Sequence, residues 1–392
     1  MNMLKTKANK AMLSLTLATA LFFSPSINGS TAHAIVTEID YDIDHAISKD
    51  FTYIEDKYNN NLSNKTVILT TNDVHGAVDG YPYLAGMKEY FANLGADVIV
   101  VDAGDFSDPK QNAKEKYISP KNGLAFKCMN SVGYDYATLG NHEGTSLRYL
   151  QKNIDNIETK PNFKIISSNI LEPQKKDENE EKEIIDVPLF TPCAIHKTTV
   201  EGADNVNIGF FGLTTRDAKS SESRLLLGTD MQKCAENQCD LLRNKGIETE
   251  AGKEKADIVI CLAHLGLEKV FNDVGESSYA ISRSVNQIDL MIDGHSHSII
   301  TPPEYDKPLI YKTDDGRDVN NDPILSTGTE FQNIGVVIID NHEKAIKDAF
   351  LIANDVFTSF EPISPKKSKA AADTAAVVQK IKEESKKNSK KH

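Results

Sequence analysis

The chain has 392 residues, with 40% apolar and 26% charged residues and a formal net charge of −13. That length allows one large domain or two smaller ones, and the composition is that of a globular protein rather than a fibrous or wholly disordered one. The acidic balance argues against a general nucleic-acid-polymer binder, which needs basic stripes to meet phosphates.

Residues 1–34 read as a secretory signal peptide: Lys5, Lys7 and Lys10 precede the apolar run AMLSLTLATALFF, and the segment closes on the small-x-small pattern Ala32-His33-Ala34. An exported protein, periplasmic or secreted, is therefore expected. No later stretch approaches the ~20 apolar residues of a membrane span, so none is predicted. Residues 35–64 form a polar, acidic extension. The periodic body, expected to be one catalytic domain over 65–362, begins with the buried strand VILTT. A helix follows over 83–94, then the strand DVIVVDAGD, a helix over 123–132 and the short strand YATLGNHEG turning into a loop. A helix over 147–157 and the strand FKIISSNI come next.

Residues 172–183 (EPQKKDENEEKE) lack apolar anchors and read as a solvated loop. After them come the strand VNIGFFGLTT, a helix over 230–245, and two further strands, ADIVICLAHLG and QIDLMIDGHSH. The runs NDPILSTGTEFQNIGVVIID and AIKDAFLIAND read as antiparallel strands completing a second sheet. From 363 to the end the chain is Lys-rich, with a helix carrying a thin apolar stripe of Val377, Val378 and Ile381. Strands alternating with helices imply an α/β fold.

The five cysteines are an odd count for an exported chain. Cys234 and Cys239 are close enough in sequence to pair, whereas Cys128 and Cys261 lie in apolar runs and read as small buried hydrophobes. His45, His196, His342 and His392 lie outside any motif and are assigned to the surface.

Five fragments recur in order at strand ends: NDVHG (72–76), Gly104-Asp105, GNHE (140–143), His264 in CLAHLG, and GHSH (294–297). They carry seven oxygen or nitrogen donors, Asp73, His75, Asp105, Asn141, His264, His295 and His297, a number that suits two metal ions sharing one carboxylate. Asp105, alone at a strand end beside Gly104, is the candidate bridge. Asp73 and His75, like His295 and His297, alternate by two and can point to one side. Neutral imidazoles with carboxylates suit Mn, Zn, Co or Fe better than calcium. Two such ions form a device for hydrolysing phosphate esters. His142, beside the ligand Asn141, can face the phosphate and protonate the leaving oxygen. Glu143 is assigned structural hydrogen bonds, and Asp102 and Asp293 loop capping or support of ligands.

These motifs, with the linking text GADVIVVDAGD, GYDYATLGNHE and STGTE–NIGVV, resemble the calcineurin-like metallophosphoesterases. The closer resemblance is to the bacterial periplasmic 5′-nucleotidase / UDP-sugar hydrolase / 2′,3′-cyclic phosphodiesterase family, and it covers about Lys65 to Asp355. The resemblance implies a four-layer α/β/β/α sandwich with two mixed sheets. It also implies hydrolysis of phosphomonoesters or nucleotides by a water activated between the ions. Carried over by position, Asp73, His75, Asp105 and His297 would hold one ion and Asp105, Asn141, His264 and His295 the other. His142 would be the catalytic histidine, and Asn141 and His142 would meet the substrate.

Two departures bear on function. The family continues GNHE with Phe-Asp, the Asp orienting the catalytic histidine; here Gly144 and Thr145 stand there, so weaker catalysis is expected. No counterpart of the family's nucleobase-stacking C-terminal domain is visible. A separately encoded subunit supplying it, or a metal-binding scaffold of low activity, is therefore the alternative expectation.

Overall fold

The computed structural model describes residues 46–107, 123–172, 187–198, 200–250, 252–302 and 322–389. The expected signal peptide, the first part of the polar extension and most of the charged loop at 172–183 lie outside them. The described chain begins with helix α1 (Thr52–Tyr58), which buries Ile54 and is flanked by buried Phe51 and Leu62. Four parallel strands follow, β1 (Lys65–Thr71), β2 (Asp97–Asp102), β3 (Tyr136–Ala137) and β4 (Lys164–Ile165). They are linked by α2 (Tyr81–Asn93), α3 (Leu124–Val132), the single turn α4 (Asn141–Gly144) and α5 (Leu147–Asp155).

The chain then changes sheet. Asn169 marks the crossing, its amide bonding both the N–H and the carbonyl of Thr214 at 2.8 Å. The second sheet comprises β5 (Cys193–Lys197), β6 (Asn207–Thr214), β7 (Ile258–His264), β8 (Leu290–Ile292), β9 (Ile299–Ile300) and β10 (Ile324–Thr327), in the order β9-β10-β8-β7-β6-β5. Strands β6, β7, β8 and β10 are mutually parallel and the two edges antiparallel. Helices α6 (Thr229–Asp240) and α7 (Ser278–Ser284) cover it. The last strands, β11 (Asn333–Asp340) and β12 (Ala345–Ala353), return to the first sheet, and α8 (Lys369–Ser389) ends the described chain.

Alternation along the strands builds three cores and hence four layers. Val67, Leu69, Val100 and Ile338 face α2, α3 and α8 on the outside of the first sheet. Ile68, Ile99, Val101 and Val337 face inward and meet Phe210, Ile260 and Leu262 of the second sheet. Phe211, Val259 and Cys261 turn outward against Met231, Ala235 and Tyr279 of the helical layer beyond. This is the expected α/β/β/α sandwich.

Several local readings are corrected. Only β10 of the last strand group joins the second sheet; β11 and β12 close the first, antiparallel beside β1 with Val67 opposite Ile338. β1 is buried on both faces, and without β11 it would leave a row of unpaired backbone groups at an apolar edge. The segment expected as one strand FKIISSNI splits into β4 and the two-residue strand Ile170–Leu171, which pairs elsewhere. The GNHE loop winds into α4. The helix over 230–245 becomes wider, π-like, from Leu241 onward.

All five cysteines are free and buried. Cys234 and Cys239 cannot pair because residues five apart on a helix point roughly 140° apart. His196 is not a solvated surface residue, since its Nε2 lies 3.1 Å from Asp97 at the start of β2. His342 is exposed, as expected, and His45 and His392 lie outside the described residues.

Candidate functional site

Each expected site residue stands at or just beyond the carboxyl end of a parallel strand. β1 delivers Asp73 and His75, β2 Asp105, β3 Asn141 and His142, β7 its last residue His264, and β8 His295 and His297. The two sheets carry these ends to one edge of the sandwich, the usual place for a site in α/β folds. Turning side chains off the strand ends has a backbone cost. Asp73 (φ 48°), His75 (47°), Asp105 (56°), His295 (80°) and His297 (53°) all adopt the left-handed conformation. That region disfavours non-glycine residues by roughly 1–2 kcal/mol each. Five such residues in one cluster mark a site where geometry is kept at the expense of stability.

The two central carboxylates are oriented in the same way. Asp73 Oδ2 accepts from the Asn72 amide at 2.8 Å and from His295 N–H at 2.9 Å. Its Oδ1, which the same His295 N–H also reaches at 3.2 Å, lies among three imidazole nitrogens, 3.4 Å from His297, 3.6 Å from His75 and 3.9 Å from His264. Asp105 Oδ1 accepts from His142 N–H at 2.9 Å, while Oδ2 faces His264 at 3.3 Å and His142 at 3.9 Å. Asn72 is itself fixed, its Oδ1 accepting from Thr327 N–H and its Nδ2 donating to Gly328 O. The sequence reading missed Asn72 and Thr327 as orienting residues, although both lie inside quoted motifs.

Two of the imidazoles, His264 and His142, are held by their far edges. His264 Nδ1 donates to Ala103 O at 2.7 Å, which directs Nε2 to the carboxylates; that atom is buried and has no hydrogen-bond partner. His295 Nδ1 lies 2.9 Å from Asn141 Oδ1, and His75 Nε2 lies 3.0 Å from His297 Nε2. His142 Nδ1 meets Ser107 O at 3.1 Å. Close backbone approach completes the packing. Gly104 has φ +93°, and a Cβ there would fall 2.6 Å from Gly140 N and 2.8 Å from His264 Nδ1.

Charge is balanced inside the cluster. Burial alone would raise Asp73 and Asp105, but neighbouring histidines, His264 foremost, hold both carboxylates below their ordinary range. Burial would lower His264, yet Asp105 and Asp73 hold it up at about 10. His295, half-buried and facing the His264 charge, is pushed down to about 4.

Around these residues lies a shell of buried acids. Glu143 accepts from Asp105 N–H (2.9 Å), Gly140 N–H (3.1 Å), Ser107 N–H (3.0 Å) and the Ser107 hydroxyl, tying β2's loop to α4. Asp102 takes Gly104 N–H and the Thr71 hydroxyl, and Asp293 takes Leu265 N–H, so both cap loops as expected. The Thr145 hydroxyl donates to Asn141 O at 2.8 Å, back along its own turn. One neighbour had no signal in the sequence: Asp217, whose Oδ2 lies 3.4 Å from His295 Nε2.

All eight expected residues thus share one site. Asp73, His75 and His297, then His75, Asp105 and His142, then Asp73, Asp105 and His264 form three overlapping groups with ligand atoms within 4.8 Å of one another. Asn141 and His295 adjoin them, the His264 and His295 rings being 5.3 Å apart.

A family model described as calcineurin-like phosphoesterase matches residues 66–298. The chain is 28% identical over 313 residues to the trifunctional nucleotide phosphoesterase protein YfkN of Bacillus subtilis, covering 72% of this chain and 20% of that one. It is also 28% identical over 249 residues to a 5′-nucleotidase of Vibrio cholerae, covering 59% and 40%. The crystal structure of the calcineurin-like phosphoesterase YfkN from Bacillus subtilis superposes with a TM-score of 0.55 at 17% identity, covering 81% of this chain and 96% of that one. That of a 5′-nucleotidase precursor from Thermus thermophilus gives 0.52 at 18%, covering 81% and 59%. At such identities the structural likeness concerns the fold. The chain spans less than half the length of these curated relatives.

Proposed function

The chain belongs to the calcineurin-like phosphoesterases, and we propose that it is an exported hydrolase of phosphomonoesters or nucleotide-type phosphoesters that works with two divalent ions. The observation carrying this reading is the overlap of Asp73, Asp105 and the imidazoles of His75, His142, His264 and His297 in one cluster, in which His264 Nε2, buried and facing both carboxylates, lacks a hydrogen-bond partner. Lone pairs from both sheets aimed at a common space fit cations better than they fit one another. Asp73, His75, Asp105 and His297 would hold one ion, and Asp105, Asn141, His264 and His295 the other, with Mn, Zn, Co or Fe suiting the donors. When bound, such ions supply Lewis acidity towards the phosphoryl oxygens and lower the pKa of water.

The chain's own residues do the rest. Asp105, with one oxygen pinned by His142 N–H, presents the other to the shared space. Asn141 contributes an amide oxygen without negative charge, so an anionic ester is not repelled. His142 is the proton carrier. Its Nδ1 is held by Ser107 O and its Nε2 faces inward, where it can protonate the leaving oxygen. Export rests on residues 1–34, outside the described part, and among the described residues no helix is long and apolar enough to cross a membrane.

A second reading, a metal-binding scaffold or a subunit completed by another chain, is favoured by Thr145, whose hydroxyl is spent on Asn141 O. The two separate in one assay. Chelator-treated protein is supplied with Mn²⁺, Zn²⁺ or Co²⁺ and given an aryl phosphate, AMP and a 2′,3′-cyclic nucleotide, with Asp105→Asn as the blank. Metal-dependent turnover lost in the variant supports the enzyme; metal binding with no turnover above the blank supports the scaffold.

A further inference from the structure

We propose that Asp217 is the positioning residue of His295, holding the Nε2 edge of its imidazole so that Nδ1 is offered beside Asn141; this rests on the metal-site reading above. Asp217 lies in the one-turn 3₁₀ segment Arg216–Ala218 that follows β6. The segment is clamped from two sides. On one, the Arg216 guanidinium donates twice to buried Glu276, Nε to Oε2 at 2.5 Å and Nη2 to Oε1 at 2.6 Å, and Glu276 also accepts from Gly228 N–H at 2.8 Å. On the other, Ala218 is buried against α4 where a Cβ on Gly144 would collide with it. A side chain at 144, where the resembled family has Phe, would push this turn away. The glycine therefore lets the turn in, and with it a carboxylate at the site.

The consequence is an imidazole with an oxygen facing each nitrogen, the one at Nε2 from the exposed carboxylate of Asp217. His295 Nε2 lies 3.4 Å from Asp217 Oδ2, and Nδ1 lies 2.9 Å from Asn141 Oδ1. The Phe271 ring, 5.4 Å from that of His295, backs it. A neutral imidazole carries one N–H, and a carboxylate opposite Nε2 draws the proton there. The Nδ1 lone pair then faces the Asn141 oxygen, and two electron-rich atoms at that distance suit a shared cation. Carboxylates behind histidine ligands fix tautomer and ring orientation in this way. In this role Asp217 acts through His295 and not on substrate or ion.

The test compares wild type with Asp217→Ala and Asp217→Glu after chelator treatment. Each is titrated with Co²⁺ by calorimetry and visible absorption, and kcat and KM for an aryl phosphate are measured against Co²⁺ concentration. Asp217→Ala is expected to weaken one of the two bound ions by about 10–100-fold and alter the Co²⁺ spectrum while the other ion is unaffected. KM is expected to stay constant, kcat to recover at high Co²⁺, and Asp217→Glu to restore part of the affinity. Unchanged affinities and spectrum in Asp217→Ala overturn the role of Asp217 alone, as does an equal loss of both ions. Wild type that binds no Co²⁺ overturns the metal-site reading and this role with it.

Discussion

Glu143 shows how a single buried side chain assembles this site. Its carboxylate accepts from three backbone N–H groups and one hydroxyl, fixing the positions of Asp105, Gly140 and Ser107 together. Burial and the Asp105 charge push its pKa up, against the pull of the Ser107 hydrogen bond. In Glu143→Gln one oxygen becomes an NH₂ facing backbone donors. The expected loss is about 1–3 kcal/mol for the groups left unpaired, read from urea unfolding, with weaker metal binding as the Asp105 loop slackens. A variant of full stability and unaltered metal affinity would sink the assembly role. Thr145 gives a converse test. Its hydroxyl is engaged with Asn141 O, and Ser107 O meets His142 Nδ1 instead. Thr145→Asp is expected to raise kcat for an aryl phosphate severalfold by favouring the imidazolium; an unchanged kcat would mean that the carboxylate is not missed. The eight site residues were legible in the sequence because each sits in a short motif at a strand end. Asp217 and the Ser107 carbonyl were not. One is an isolated acid in a remote turn, and the other acts through a backbone atom that any residue would supply.

At the level of elements, legibility followed the length and purity of the periodic runs. VILTT, DVIVVDA, VNIGFFGLTT and IVICLA became β1, β2, β6 and β7 because continuous apolar stretches of that length suit strands buried on both faces. Sheet membership was harder to read. Nothing in NIGVVIID distinguishes pairing with β1 from pairing in the second sheet, since both positions demand the same apolar alternation. The segment FKIISSNI failed for another reason: Ser167, Ser168 and Asn169 are buried where the chain changes sheet, Ser167 meeting the Thr214 hydroxyl and the other two bonding to backbone. Helix α6 carries a direct prediction. Cys234 donates to Ser168 O at 3.4 Å, while Cys239 packs in the core between the second sheet and its helices, so the helix holds the two thiols on separate faces. Thiol titration of the unfolded chain without reductant should therefore give all five cysteines, and reductant should leave the unfolding midpoint of the native protein unmoved. A count of three with a midpoint lowered by reductant would establish a disulfide and overturn the five free thiols.

The site also binds the molecule together, because its donors come from both sheets. Asp73, Asp105 and Asn141 follow strands of the first sheet, and His264, His295 and His297 belong to or follow strands of the second. They already bond across the gap through His295 N–H to Asp73 and His264 Nδ1 to Ala103 O. In the ion-free protein His264 supplies the balancing positive charge: burial opposes it, but Asp105 and Asp73 raise its pKa from 6.5 to about 10. The sign follows from the direction of that shift. A proton held more tightly in the folded state contributes stability in full below pH 6.5 and loses it as pH rises through about 10. A divalent ion needs Nε2 as a lone pair, so filling the site must expel this proton. Ion affinity should then rise with pH by about tenfold per unit across neutrality. Calorimetric titration with Mn²⁺ at pH 7 in two buffers of different ionisation enthalpy measures the proton directly, and a heat independent of buffer would refute the exchange. Because the ion replaces one proton with a link between sheets, free metal at 100 times its dissociation constant should stabilise the fold by about 2.7 kcal/mol. Thermal unfolding should show that gain, chelator should remove it, and Asp105→Asn, which lacks the charge both ions would share, should never acquire it.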